Sequence, residues 1–425
     1  MALSLDAIYT PLNEFFLRKF AGAEPAGIRF RFARLPRAFV DSDFVAPSHP
    51  EWGPLQALGE EQFSEAVDGI PFIDADGRTV WFGTDRLSDL YRDEILGPST
   101  GCVPDSMTDA DQRQAGIDSF NAAKAAALSL WESIKSESVL AGPGVAFRPS
   151  AAAPASWWNR NDPQVWSSQA FHVASASGAP PGQKLLRMKV SDEVLRGVLK
   201  SHVAPDATPA VAPAPPHDDL VIRKLSPQAL AAARPVFMTA LAANSGPAVA
   251  APAPRRIGNP FLVGAEVALP PAALHTDVNM RIERLPVRER FELQSMLAAQ
   301  QPLQPVATSE VTLRFDYCVV TVTRPWLHQA FLKNAFWCIP GQAKGKLSAN
   351  DGHGMPALPV GFVAVKELTI SGTWTPDDIS NLQQSVQFGP FNFDSAVVDG
   401  AIGHSGIQIV GWLLQDVPDL PPNRA

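Results

Sequence analysis

The chain has 425 residues, 46% of them hydrophobic and 18% charged, which is enough apolar material for a sizeable core and argues against disorder throughout. Its net charge of −8 argues against nucleic-acid binding and against attraction to an anionic membrane. The only basic groupings, Arg29 to Arg37 and Arg255–Arg256, are too small for a phosphate-tracking face.

The first helix is expected to begin at Pro11 behind a Thr10 cap, with Leu12, Phe15, Phe16 and Phe20 on one face packing against the core. The residues before it lack the basic start and apolar run of a secretory leader, and no later stretch has the roughly 18 apolar residues of a membrane span. The expectation is a soluble, cytoplasmic protein with no cleavable signal peptide. Ile28–Phe32 alternates as a strand does, and Ile70–Phe82 reads as a hairpin around Asp76-Gly77, a dipeptide suited to a type I′ turn. Thr108–Ser138 has the period of a long helix, capped by Thr108 with Asp111 and weakened locally by Gly116. A Trp-rich stretch, Ser156–His172, precedes a strand at Lys184–Val190 and a short helix at Ser191–Lys200.

Two Pro/Ala-rich stretches, Val203–His217 and Ser245–Arg256, then bracket a helical segment at Ser226–Asn244. Alternating Ala and Pro favours a stiff, extended spacer. Much of the excess of the chain's 40 prolines lies in these linkers and in loops. Pro286–Leu297 reads as a short helix. From Ser309 the pattern is that of an ordered domain. Val311–Val322 is a strand with Val311, Leu313, Phe315, Tyr317 and Val319 on one face, and a helix opens at Pro325. Strands at Val360–Ile370 and Gly406–Leu414 flank a helix start at Thr375-Pro376-Asp377-Asp378. The fold class expected is α+β: an N-terminal block over 1–202, a tethered helical segment within 203–256, and a C-terminal domain over 257–425.

Cys102, Cys318 and Cys338 are sparse, odd in number and lack metal spacing, which predicts a reduced protein with buried thiols. Gly341–Ser348 resembles a phosphate loop, but its glycines are one residue too close and Leu347 replaces the hydroxyl. Gly403-His404-Ser405-Gly406 resembles part of a nucleophile elbow, but Ile407 stands where the second glycine belongs. His328, His353 and His404 with Asp351 match no metal-ligand spacing. No metal and no cofactor is therefore assigned. Trp157, Trp158 and Trp166 could form an aromatic platform for a glycan or a protein chain, and Phe237, Met238 and Leu241 an apolar face offered to a partner groove. With no intact catalytic motif, the function expected is that of a non-catalytic adaptor or assembly protein acting through a protein partner or self-association. The alternatives are a hydrolase-like enzyme using His353, His404 or Ser405, and a glycan-binding module. High Ala, Pro and Arg usage suggests a GC-rich bacterial genome.

Overall fold

The computed structural model describes residues 3–21, 27–39, 63–64, 66–140, 148–175, 184–189, 290–291, 293–294, 301–350, 354–393 and 396–424. Both Pro/Ala-rich stretches, the tethered segment with Phe237, Met238 and Leu241, and the helix expected at Ser191–Lys200 lie outside them. No helix among the described residues is long and apolar enough to cross a membrane.

Helix α1 spans Leu5–Ala21, so it starts six residues before the expected Pro11. Ser4 provides the cap, its Oγ accepting from the Ala7 amide at 3.2 Å. Pro11 sits inside the helix and removes one amide donor. The helix continues through it because Ile8, Leu12 and Phe16 are fully buried on either side, so tertiary packing outweighs the local penalty. Strand β1 (Ile28–Phe39) runs beyond the alternating stretch, and β2 (Gly69–Ile73) with β3 (Thr79–Arg86) forms the expected hairpin. Its turn is wider than type I′. Only Gly77 adopts positive φ, at 73°, while Asp74 Oδ1 accepts from the Asp76 and Arg78 amides at 3.0 and 2.9 Å.

One helical turn, Leu87–Asp89, runs into a π-helix over Leu90–Leu96, ahead of the short β4 (Thr100–Gly101). Helix α2 (Ala110–Leu140) is the long helix expected, but Asp109 caps it in place of Thr108, accepting from the Gln112 amide at 2.9 Å. Gly116 proves to be a packing requirement. A Cβ there would lie 2.0 Å from the Phe336 ring. Helix propensity alone predicts that Gly116→Ala stabilises by about 1 kcal/mol. Overpacking should reverse the sign, leaving the variant about 1–2 kcal/mol less stable. A thermal melt checks this, and a midpoint above wild type would contradict it.

Strands β5 (Ala151–Ala153), β6 (Ser167–Ala174), β7 (Lys184–Met188) and β8 (Leu303–Pro305) precede the long β9 (Glu310–Thr323). The described residues of the helix expected at Pro286–Leu297 are helical. The helix expected from Pro325 is reduced to one turn, α3 (Gln329–Leu332), before β10 (Trp337–Cys338) and β11 (Ala357–Gly372). Helix α4 (Pro376–Gln383) carries the expected start as a complete capping box between Thr375 and Asp378. Strands β12 (Ser385–Phe388), β13 (Phe391–Asn392), β14 (Ala401–His404) and β15 (Ile407–Asp416) complete the chain.

The fold mixes helices with a large mixed sheet, and strands from the first and last parts of the chain share that sheet. The main sheet runs β2-β3-β1-β15-β11-β9-β5, with β6 also on β9 and β14 also on β11. Strand β1 pairs along β15 from Ile28↔Gln415 to Phe39↔Ile407, so the two halves of the chain share one sheet. The compact unit joins Met1–Lys189 to Pro302–Ala425. The ladders are antiparallel except β1 with β3, which is parallel at Ala33↔Thr79. A second sheet has the order β13-β12-β7-β8.

The sheet is buried on both faces. On β9, Leu313, Phe315 and Tyr317 join one cluster with Ile8, Leu12 and Phe16 of α1. The alternate residues Cys318, Val320 and Val322 join another with Trp157, Trp166 and Trp412. The expected face containing Val319 is thus real, and the opposite face is equally apolar. A third cluster holds Tyr91, Phe120 and Trp131 against Trp326, Phe331 and Trp337.

The cysteine expectation needs correction. Cys102 and Cys338 form a disulfide where β4 pairs with β10, with Cα atoms 5.6 Å apart. They stand 236 residues apart, so spacing gave no sign of it. Disulfides persist in oxidising compartments, so the thiol argument for a cytoplasmic location loses its basis. Cys318 is the buried thiol expected, and burial pushes it up to about 12.

Candidate functional site

The Trp-rich stretch folds as a series of side-chain-stabilised turns. Asn159 and Asp162 accept from the amides two residues on, and Ser156 donates to Asp162 at 3.1 Å. These turns direct Trp157 inward, where only 2% of it is exposed. Its ring centroid lies 5.0 Å from Phe63 and Phe362 and 5.5 Å from Phe39. Trp166 is also buried, and its indole N–H donates to the Asn159 carbonyl at 2.9 Å. Trp158 is half-buried. Trp157 and Trp166 therefore fasten this loop to the core and present no open ring face for a sugar.

The same stretch reaches the turn that carries His404 and Ser405. Arg160 Nη2 donates to the Ser405 carbonyl at 2.6 Å and to Glu367 Oε1 at 2.7 Å. Ser405 thus enters this contact through its backbone and not its hydroxyl. Gly403 and Gly406 serve close approach: a Cβ on Gly403 would meet the Leu368 carbonyl at 2.8 Å, and one on Gly406 would meet His404 Nε2 at 2.9 Å. Glu367 adopts a left-handed φ of 49° at an irregularity of β11. Beside it, Lys366 Nζ lies 3.0 Å from Asp316 Oδ2 and 5.2 Å over the Trp166 ring. Burial raises the Asp316 carboxyl, but hydrogen bonds from Ser168 and Lys366, with the Lys366 charge, outweigh it and hold the group below its ordinary value.

Ser168 belongs to β6, which makes this polar patch one end of a sheet edge. Strand β6 pairs with β9 from Ser167↔Tyr317 to Ala174↔Glu310, and no other described strand pairs with it. Ser167, Ser168, Ala170, His172 and Ala174 are exposed, whereas Val173 is buried and Phe171 packs edge-on against Phe15. The strand contains neither lysine nor proline, the residues with which proteins blunt an open edge. Sequence reasoning ran this segment into the Trp-rich stretch, although its QAFHV alternation was the available signal.

The remaining sequence candidates have structural employment or lie elsewhere. His328 caps α3, its Nδ1 accepting from the Phe331 amide at 3.2 Å. The amides of Gly345 and Leu347 donate to Pro421 and Leu420 at 2.9 and 2.7 Å, so the glycine loop holds the C-terminal segment where a phosphate loop would leave its amides for a ligand. His353 and Asp351 lie outside the described residues. Among the described residues, no group of three or more His, Cys, Asp or Glu is placed to hold a metal ion.

A buried charge went unnoticed in the sequence. Asp68, fully buried, accepts from the Ser88 amide at 3.2 Å and from its hydroxyl. Arg324 comes close enough for its charge to act on Asp68, but its guanidinium donates to the carbonyls of Val67 and Pro359. Burial therefore dominates and pushes the Asp68 carboxyl up to about 7, against the lowering effects of Ser88 and Arg324.

No known family model matches this chain, and neither a curated protein nor a solved structure is similar to it.

Proposed function

We propose that the protein is a non-catalytic adaptor or assembly factor that acts by holding a protein partner. The observation that supports this reading is the outer edge of β6, with which no described strand other than β9 pairs and which carries neither lysine nor proline. An extended partner segment can add to such an edge as a further strand, with main-chain hydrogen bonds giving affinity and neighbouring side chains giving selectivity. The Arg160–Glu367 pair and the Lys366–Asp316 pair at one end would fix register by charge. The structural employment of His328, the Ser405 carbonyl and the 341–348 loop is consistent with this reading.

The test is affinity purification of the intact protein from its native cell, with mass and stoichiometry by light scattering. The expected result is a defined complex. The double variant Ala170→Lys with His172→Lys places charge at exposed positions of the edge and should abolish the complex without shifting the thermal midpoint. A wild-type monomer without companions, or a complex indifferent to the variant, would sink the reading.

A further inference from the structure

The phase of the ladder between β6 and β9 decides which main-chain groups β6 presents on its outer edge. In an antiparallel ladder one residue turns both its amide and its carbonyl toward one neighbouring strand, and the next residue turns both the other way. Ser175, one residue past β6, donates its amide to the Ser309 carbonyl of the segment entering β9, at 2.7 Å. The odd-numbered residues therefore face β9. The Ala170 carbonyl instead accepts from the Gln169 side chain at 2.9 Å, as a group on the outer side can. Ser168, Ala170, His172 and Ala174 thus direct their amides and carbonyls away from β9.

Two strands of this kind can pair antiparallel only if outward residues oppose outward residues. One register does so over the full strand: Ser168 opposite Ala174 of the second strand, Ala170 opposite His172, and Phe171 opposite its own copy on a two-fold axis. It forms about eight main-chain hydrogen bonds. The side chains suit it. The strand itself carries no Lys, Arg, Asp or Glu, and the small Ala170 leaves room for the imidazole facing it. Beside the strand the charges balance, Arg160, Arg314 and Lys366 against Glu310, Asp316 and Glu367. Two copies of a chain with net charge −8 repel each other, and their approach is least opposed where the surface is locally neutral. On the opposite face Phe171 is half-buried, 5.1 Å from the Phe15 ring and 5.9 Å from that of Phe315. A second Phe171 across the axis would cover the part that these rings leave open.

We propose that the segment added to β6 is the β6 of a second copy of this chain, paired antiparallel about a two-fold axis at Phe171. The inference rests on the reading of β6 as a pairing edge and names the occupant. A second copy supplies the matching phase, length and neutral charge together.

Light scattering of the purified full-length protein over a concentration series tests the occupant. The expected mass is twice that of the chain. Ala170→Lys with His172→Lys sets lysine opposite lysine twice across the axis and should raise the dissociation constant at least about tenfold. A cross-link reads the register. Ala170→Cys with His172→Cys gives each copy two exposed thiols, each facing one on the other copy at a spacing a disulfide can bridge. This variant should run as a dimer on a non-reducing gel, whereas Ala170→Cys alone should not. The native cysteines do not compete, since Cys318 is buried and Cys102 is joined to Cys338. A pure monomer that still joins a foreign protein through a lysine-sensitive contact would overturn the inference and leave β6 standing as a pairing edge. A monomer that joins nothing would sink both. A dimer indifferent to the lysines, or one that forms no cross-link, would also overturn the inference.

Discussion

Raising the pH from 4.5 to 8 should cost the wild-type protein several kcal/mol of stability that the Asp68→Asn variant does not lose. Asp68 has an ordinary value of 3.8 and a folded value of about 7. Between these values the native state binds a proton that the unfolded chain has released, so stability falls as pH rises through the window. The contribution is fully present below about 4 and lost above about 7. At about 1.4 kcal/mol per pH unit, a shift of this size corresponds to roughly 4 kcal/mol. The physical cause is that Asp68 is fully buried beside Ser88, while the nearby guanidinium of Arg324 is engaged by carbonyls. Asparagine keeps one oxygen to accept from the Ser88 amide and can donate its own N–H to the Ser88 hydroxyl, without a charge to bury. Urea unfolding of both proteins at the two pH values measures the effect as a difference, which cancels the other titrating groups. Parallel pH profiles for the two proteins would show that Asp68 is ionised in the folded state.

Asp378→Ala is expected to be the most damaging single substitution at a helix terminus, at about 3–5 kcal/mol. Asp378 is 2% exposed and does more than complete the capping box of α4. One oxygen accepts from the Ala307 amide at 2.8 Å. The other accepts from the Thr308 amide at 2.9 Å and the Thr308 hydroxyl at 2.7 Å. The carboxylate thereby ties α4 to the segment that enters β9. Alanine would strand the Ala307 and Thr308 amides, while the Thr308 hydroxyl keeps the Thr373 carbonyl at 3.1 Å, and each unpaired buried donor costs about 1–3 kcal/mol. Burial raises the Asp378 carboxyl, but the hydrogen bonds from Ala307, Thr308 and Thr375 outweigh it and hold the group below its ordinary value. Its stabilising effect is thus lost as pH falls, opposite in sign to that of Asp68. Chemical unfolding at neutral pH gives the magnitude, and a loss under about 1 kcal/mol would mean that the Ala307–Thr308 segment finds other partners.

The candidate sites were far less legible than the elements that carry them. His404, Ser405 and Trp166 were singled out by residue type. Ser405 meets Arg160 and Trp166 meets Lys366, each from a segment far away in sequence, and Glu367, which also binds Arg160, sits at a β11 irregularity that no local pattern marks.

By itself the sequence determined those features whose physics is confined to one turn or one strand. Thr375 and Asp378 satisfy each other's backbone amides within four residues, so the helix start was readable. The alternation of Val311 to Val319, the Asp76-Gly77 punctuation of the hairpin and the long period of α2 are likewise local. Tertiary structure decided what depends on distant partners. It carried α1 through Pro11, made Gly116 a seat for Phe336, joined Cys102 to Cys338 and laid β1 along β15. Burial energy between remote segments exceeds the propensity of any one residue, and a single sequence displays the propensities without displaying which remote segments will meet.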